Sequence, residues 1–316
     1  MVLPRINPDL LLAAQLPVVD FTYTERDVAL YALGVGAQGA DACNPTELPF
    51  LYHPDGQSSI KVLPTFAVLF ANDFVVLLSK VPGLHFDSNL LLHGEQYLEV
   101  YKPLPTHGNI RSNIRISGLQ DKVKAAVLEL EVLSHNMDTG DVLCMNRITV
   151  FLRGAGGFST SSPPFSYSER KSQLNLTPLS KPSVLAQELP PDIVIEEQTH
   201  PSQALLYRLS GDYNPLHSDP SYAKAAGFPR PILHGLCTFG YATRAIIQSC
   251  CGGEPTLIQS VQGRFLLHVF PGETLVTEIW QNKKESVATF KLKVKERGKV
   301  VLSGTVRLLH PRGSRL

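Results

Sequence analysis

The sequence predicts an α+β fold of two repeats, each a long central helix wrapped by a curved antiparallel sheet. Three observations lead there. Residues 153–192 of the 316-residue chain are dense in Gly, Ser and Pro without sustained periodicity, and read as a linker or overhanging segment between two halves. Apolar windows recur in the same order on either side of it, the mark of an internal duplication. Within each half a long apolar stretch precedes four alternating or β-rich runs, the pattern of a helix followed by a meander.

The duplication is visible in three windows. "VALYALGVG" (28–36) matches "ALLYRLSGD" (204–212), with Tyr31 over Tyr207 and Leu33 over Leu209. "VLPTFAVLF" (62–70) matches "ILHGLCTFG" (232–240), and "YLEVYKPLP" (97–105) matches "FLLHVFPGE" (265–273), with Pro103 over Pro271. In the second half, a helix is expected from about residue 202 to 209, a short one in "SYAKAAG" ended by Gly227, and a long one over Ile232–Cys250 with Pro231 at its first turn. Strands follow in "SVQGRFLLHVF", "ETLVTEIWQ", "SVATFKLKVKE" and "KVVLSGTVRLL", with turns at Pro271-Gly272 and Arg297-Gly298. In the first half, 62–78 takes the helix position, and "EQYLEVYK", "IRSNIRIS", "KVKAAVLELEVLS" and "DVLCMNRITVFL" take the strands. Pro64 near the start of that stretch, and Asn72 and Asp73 in its middle, interrupt it. The expected units are therefore 1–152 and 193–313, with 153–192 between them and a C-terminal tripeptide, 314–316.

Bulk properties exclude several classes of function. With 29 basic and 28 acidic residues the formal charge is +1, which gives no reason to expect a nucleic acid or a membrane surface as partner. Five cysteines, an odd number without C-x-x-C spacing, argue against a disulfide framework or a zinc cluster and favour a reducing compartment. The N-terminal "MVLPRINPDLLLAAQLP" is proline-broken and lacks the basic lead of a signal peptide. The longest apolar run, Ile232–Ile247, holds His234 and Arg244 and is short for a bilayer span. "GVGAQG" (34–39) has the letters of a dinucleotide fingerprint but follows a helical pattern, not a strand, so no nicotinamide or flavin site is expected. No G-x-S-x-G is present. The last residues, Ser314-Arg315-Leu316, are a variant of the peroxisomal address read by an import receptor, or a chance tripeptide.

Chemistry concentrates in "GDYNPLHSDP" (211–220) and "PILHGLCTF" (231–239). Asp212 and His217 stand five apart across a bend fixed by Pro215, so a loop can bring both onto one water, as general acid–base catalysis requires. Asn214 is placed to orient the pair or a substrate carbonyl. Each residue also has an ordinary reading, since Asp and Asn before Pro form turns. A metal reading, with His217, His234 and Asp212 or Asp219 as ligands, lacks any supporting spacing. Gly235 stands at a helix start, where a free backbone N–H can meet an enolate oxygen and no Cβ blocks it; close helix packing is the alternative.

Together, "YRLSGDYNPLHSDPSYAKAAGFPRPILHGLCTFGYA", "LLHGEQYLEVYKPLP" (91–105) and "NRITVFLRGAGGF" (146–158) resemble the hydratase 2 (MaoC-like) family of R-specific enoyl-CoA hydratases. The resemblance implies a double hot-dog fold and hydration of trans-2-enoyl-CoA to (3R)-3-hydroxyacyl-CoA without metal or redox cofactor. It also implies a homodimer in the peroxisome. The family's catalytic Asp, Asn and His fall on Asp212, Asn214 and His217, and its oxyanion-hole glycine on Gly235. Two rival classes are a hot-dog thioesterase and a non-catalytic acyl-CoA-binding protein. The first half is expected to be chemically blind, because Gly36 stands opposite Asp212, Thr65 opposite Gly235, and no histidine opposite His217. Its interrupted helix is expected to leave room for an acyl chain along Phe66, Leu69 and Phe70, with His234 as a further substrate contact.

Overall fold

The computed structural model describes residues 6–39, 41–71, 74–170 and 189–309. The first half runs α1 (Pro8–Ala13), β1 (Val19–Tyr23), α2 (Glu25–Gly34), a 3₁₀ stretch (Pro64–Ala71), α3 (Phe74–Leu78), β2 (Leu91–Val100), β3 (Gly108–Asp121), β4 (Ala125–Asn136), β5 (Val142–Arg153) and β6 (Ser166–Ser168). The second runs β7 (Ile193–Gln198), α4 (Gln203–Tyr207), α5 (Pro220–Ala225), α6 (Gly235–Cys250), β8 (Ile258–Phe265), β9 (Thr274–Asn282), β10 (Val287–Val294) and β11 (Lys299–Leu308).

All pairings in the sheet are antiparallel, and its order is β1-β3-β4-β5-β2-β8-β11-β10-β9-β7, with β6 added beside β3. Read outward from the seam, each half repeats one order: β2-β5-β4-β3-β1 and β8-β11-β10-β9-β7. The duplication in the sequence is thus a duplication of strand order. β2 and β8 join the halves through register pairs from Glu95↔Arg264 to Glu99↔Ser260. One sheet therefore runs through both repeats, as two units merging side by side require.

In the second half α6 lies against β8 to β11, and every residue from Leu236 to Ile247 is buried. Each large apolar side chain so buried contributes about 1.5–3 kcal/mol. Strand β10 alternates half-buried and buried residues along its length, so one face meets α6 and the other is partly solvated. At Gly240 a Cβ would lie 2.4 Å from Val35 Cγ1, so the absence of a side chain lets α6 approach the chain that follows α2.

Two expectations need correction. Among the described residues, the first repeat has no long α-helix in its sheet: residues 64–71 form a 3₁₀ stretch buried at every position, and α3 is described from Phe74. Pro64 removes a donor, and side chains that are apolar all round give no single stripe to bury, so this stretch packs on β1, β2, β3, β5 and α6 together. In the second repeat α6 starts at Gly235, not Ile232. The Leu233 N–H donates to Val269 O at 2.7 Å, which keeps this segment out of the helix and leaves Pro231 outside it. The segment after β5 is partly ordered against the sheet: β6 pairs with Gly118–Gln120, and the Asp121 carboxylate accepts from the N–H groups of Val123, Gly157 and Ser159, each at 2.8 Å. Asn72, Asp73 and the tail 314–316 lie outside the described residues.

One buried charge cluster ties the halves together. Arg244 on α6 donates to Val35 O at 3.0 Å and is hydrogen-bonded to the carboxylates of Glu47 and Glu197. Glu47 also accepts from the Gln38 N–H at 2.7 Å.

Candidate active site

The loop that carries the chemistry is built by local rules. α4 tightens into a 3₁₀ turn over Arg208–Ser210, and Gly211 reverses the chain at φ +116°, a conformation unstrained only for glycine. Asp212 follows the reversal, and its Oδ1 accepts from the Asn214 N–H at 3.2 Å. Asn214 caps the next 3₁₀ turn, Pro215–His217, by accepting from the Leu216 N–H at 3.0 Å. Its carbonyl oxygen thus fixes the turn that presents His217. Asp219 is committed as the cap of α5, accepting from Ser221 and Tyr222, and takes no part in the cluster.

His217 Nδ1 lies 2.9 Å from Ile232 O. A carbonyl can only accept, so Nδ1 carries the proton and Nε2 keeps the lone pair. His234, 1% exposed, lies 3.2 Å from Asp212 O through Nε2, which must likewise donate. The two imidazoles stack at a centroid distance of 3.7 Å with planes 30° apart, and Tyr207 lies 4.8 Å from His234 on another side. One polar atom each from Asp212, His217 and His234 falls within 4.8 Å of the others. Each ring keeps one free nitrogen, but stacked rings 30° from parallel do not converge their in-plane lone pairs on one point as a tetrahedral metal site requires.

Gly235 is the first residue of α6, and its N–H has no acceptor among the described residues. It is solvent-exposed, with Phe265 beside it, 3.2 Å from where a Cβ would stand. A free donor at the positive end of a sixteen-residue helix therefore opens next to the Asp212–His217 pair.

A cavity of about 390 Å³ lies on the first-half side of the loop. Leu69, Phe70, Phe74 and Ile114 are in its lining, with Asp20 and Lys80, and the loop contributes Ser210 and Gly211, the residues just before Asp212. Leu69 and Phe70 stand where an acyl-chain contact was expected, but Phe66 does not. It is fully buried among aromatic rings, 4.8 Å from Tyr23 and 5.5 Å from Tyr31, and belongs to the core. His234, the further expected contact, is bonded to Asp212 O and stacked on His217, behind the pair. Sequence reasoning missed Phe265 as the wall beside Gly235. It also missed His93 of β2, which touches both Phe265 and Phe74 edge-on at 4.9 and 5.7 Å. The β2 bulge between His93 and Glu95 carries no sequence mark beyond Gly94.

Three rings here are held below the ordinary imidazole value of 6.5: His93 by burial, to about 4; His217 by burial against the opposing pull of Asp212; His234 by burial and by His217. Native rings that stay neutral bind fewer protons than the unfolded chain below about pH 6.5, so stability is full above that value and is lost as the pH falls. The expected result is a melting temperature that is level near pH 8 and drops between about pH 6.5 and 5, where ordinary carboxylates remain ionised. A level melting temperature down to pH 5 would show that the rings titrate freely.

Comparison with known proteins gives the same arrangement a lineage. Residues 21–154 match the family described as MFE-2 hydratase 2 N-terminal domain, and residues 184–304 match the MaoC like domain. The chain is 56% identical over 302 residues to the peroxisomal enoyl-CoA hydratase 2 of Arabidopsis thaliana, covering 96% of this chain and 95% of that protein. It is 40% identical over 291 residues to the peroxisomal multifunctional enzyme type 2 of Mus musculus, covering 92% of this chain and 37% of the mouse protein. Among solved structures, a MaoC-like dehydratase from Phytophthora capsici superimposes with a TM-score of 0.78 at 30% identity, over 97% of this chain and all of that one. Both repeats are matched and the plant relative aligns nearly end to end, so the chain belongs to the MaoC-like hydratase 2 family.

Proposed function

We propose that the protein hydrates trans-2-enoyl-CoA to (3R)-3-hydroxyacyl-CoA, reversibly, in the fatty-acid metabolism of peroxisomes. The observation that carries the reading is the Asp212 carboxylate clustered with His217, whose Nε2 is left free, beside His234, which is bonded to Asp212 O and directly precedes the unpartnered Gly235 N–H. The names of the relatives support it, since the plant protein is an enoyl-CoA hydratase 2 and both it and the mouse protein are peroxisomal.

In this reading the thioester carbonyl accepts from the Gly235 N–H, which draws charge off C3 and stabilises the enolate oxygen. One water lies between Asp212 and His217 Nε2. Its hydroxyl forms the new bond to C3, its proton passes to the pair, and a proton returns to C2, so one water is consumed and the protein ends as it began. Asn214 holds the turn under His217, and His234 braces the pair from behind. No metal or redox cofactor enters these steps. The import receptor, engaged through Ser314-Arg315-Leu316, and a homodimer belong to the same proposal.

Purified protein and crotonyl-CoA test the assignment. (3R)-3-hydroxybutyryl-CoA is the expected product. The 3S alcohol would overturn the stereochemistry, and free CoA would identify a thioesterase.

The acyl chain occupies the cavity at Leu69 and Phe70. Leu69→Trp fills part of that space and is expected to lower kcat/KM for decenoyl-CoA about ten-fold or more while sparing crotonyl-CoA, the cost of excluding a few methylenes. Equal losses on both substrates would mean that the substitution disturbs the core instead.

A further inference from the structure

We propose that Gln96 and Asn146 are positioning residues that set the acyl-chain range of the site, by pinning the 3₁₀ stretch that carries Leu69 and Phe70 in the cavity lining; this rests on the acyl-CoA reading above. Pro64–Ala71 stays in a 3₁₀ conformation for eight residues. Hydrogen bonds of this type are poorly aligned, and runs beyond about four residues are uncommon, so contacts from outside must hold the stretch. Asn146 supplies one. It stands on β5, 2% exposed, and its Nδ2 donates to Ala67 O at 2.9 Å. Ala67 lies two residues before Leu69, so the bond fixes the backbone at the cavity wall.

The Asn146 amide is itself held. A carbonyl only accepts, so the Asn146 nitrogen must face Ala67, and its oxygen is left toward β2. There Gln96, 1% exposed, donates through Nε2 to Asn146 Oδ1 at 2.8 Å. Two further buried atoms, Gln96 Oε1 and His93 Nε2, have no partner among the described residues. Burial holds the His93 ring down to about 4, against the pull of the Glu95 main chain and the Gln96 side chain, so it packs as a neutral ring. It meets Phe74 of the cavity lining edge-on at 5.7 Å, and Phe265 beside Gly235 at 4.9 Å. A line of buried polar side chains thus starts at one wall of the cavity and ends between another wall and the start of α6.

Stability does not account for this line. Buried polar atoms without partners are unfavourable, and apolar side chains of similar shape can replace both members of a buried hydrogen bond at little cost. The second repeat shows that apolar solution. Beneath α6, strands β8 and β11 carry Val261, Leu302 and Val306, all buried in the core. The polar line occurs in the repeat whose central segment departs from a regular helix, and it is bonded to that segment. A partly satisfied network of this kind fixes one arrangement of the backbone above it, and here that backbone bears the side chains an acyl chain would pass.

The test is the ratio of kcat/KM for decenoyl-CoA to that for crotonyl-CoA, read beside the melting temperature. In the double variant Gln96→Met, Asn146→Leu the stretch loses its pin, and the ratio is expected to fall about ten-fold, the size of a few lost methylene contacts, while the melting temperature holds or rises. A purely structural role predicts a lower melting temperature and equal losses on both substrates. That result, or an unchanged ratio, overturns the proposal and leaves the hydratase reading standing. Should the double variant fail to fold, Gln96→Met alone decides. It keeps the Asn146 amide but frees it to turn, so the ratio is expected to fall about three-fold, and an unchanged ratio overturns the proposal. A wild type that hydrates neither thioester overturns the hydratase reading and this one with it.

Discussion

His217→Ala and Asp212→Asn will each reduce kcat by at least about 10²-fold, with the fold and KM little changed. The expectation comes from how little else is present. Among the described residues, the only cluster of three or more His, Cys, Asp or Glu side chains close enough to share an ion is the one around Asp212, and within it His234 is turned to a main-chain carbonyl. His217 keeps an imidazole lone pair on Nε2, because its other nitrogen is spent on Ile232, whereas the free Nδ1 of His234 is buried away from solvent. Asp212→Asn keeps the size and the capping contact to the Asn214 N–H but loses the charge, so it separates chemistry from loop structure. Far-ultraviolet dichroism and melting would verify the fold, and stopped assays on crotonyl-CoA the rate. Near-normal turnover in either folded variant removes the pair from the mechanism.

The largest effect on stability is expected at Arg244. Arg244→Met leaves Glu47 and Glu197 facing each other with no cation, one of them 5% exposed. Burial raises the Glu197 pKa even with Arg244 present, which shows how strongly the site opposes a bare carboxylate. Breaking a buried ion pair from one side typically costs about 3–5 kcal/mol, so urea denaturation should show a loss of that size. The triple replacement Arg244→Met, Glu47→Gln, Glu197→Gln should recover much of it, because the cost lies in the orphaned charges. A loss below about 1 kcal/mol in the single variant would mean that water reaches the carboxylates.

The sequence was legible where neighbours in the chain decide the outcome. Strands β8 to β11 follow from alternation, and their turns from Gly272 and Gly298, both at positive φ. The repeat was readable because the same order of runs occurs twice. Asp212, His217 and Gly235 could be singled out because one loop and one helix start carry them. What escaped depends on contacts made across the fold. The start of α6 is set by Val269, thirty-six residues beyond Leu233, and no local signal announces it. Edge strands β1 and β7 are short, and β7 turns Glu197 inward toward Arg244, so its pattern looks like a solvated segment. Phe66 and Leu69 look alike on an apolar stretch, yet only one lines the cavity, because the ring cluster around Tyr23 and Tyr31 captures the other.

The seam between β2 and β8 has a consequence for how such a protein can change. Two repeats on separate chains would meet only as fast and as often as their abundance allowed, and any drift in one copy would be copied into both partners. On one chain they face each other at an effective concentration of roughly millimolar or more, whatever the dilution. The cavity with Leu69 and Phe70 on one side and Gly211 on the other therefore cannot be pulled apart by scarcity. Covalent linkage also lets the two copies be edited independently. One half can give up its helix and its polar loop to become a container, while the other keeps the acid, the base and the donor.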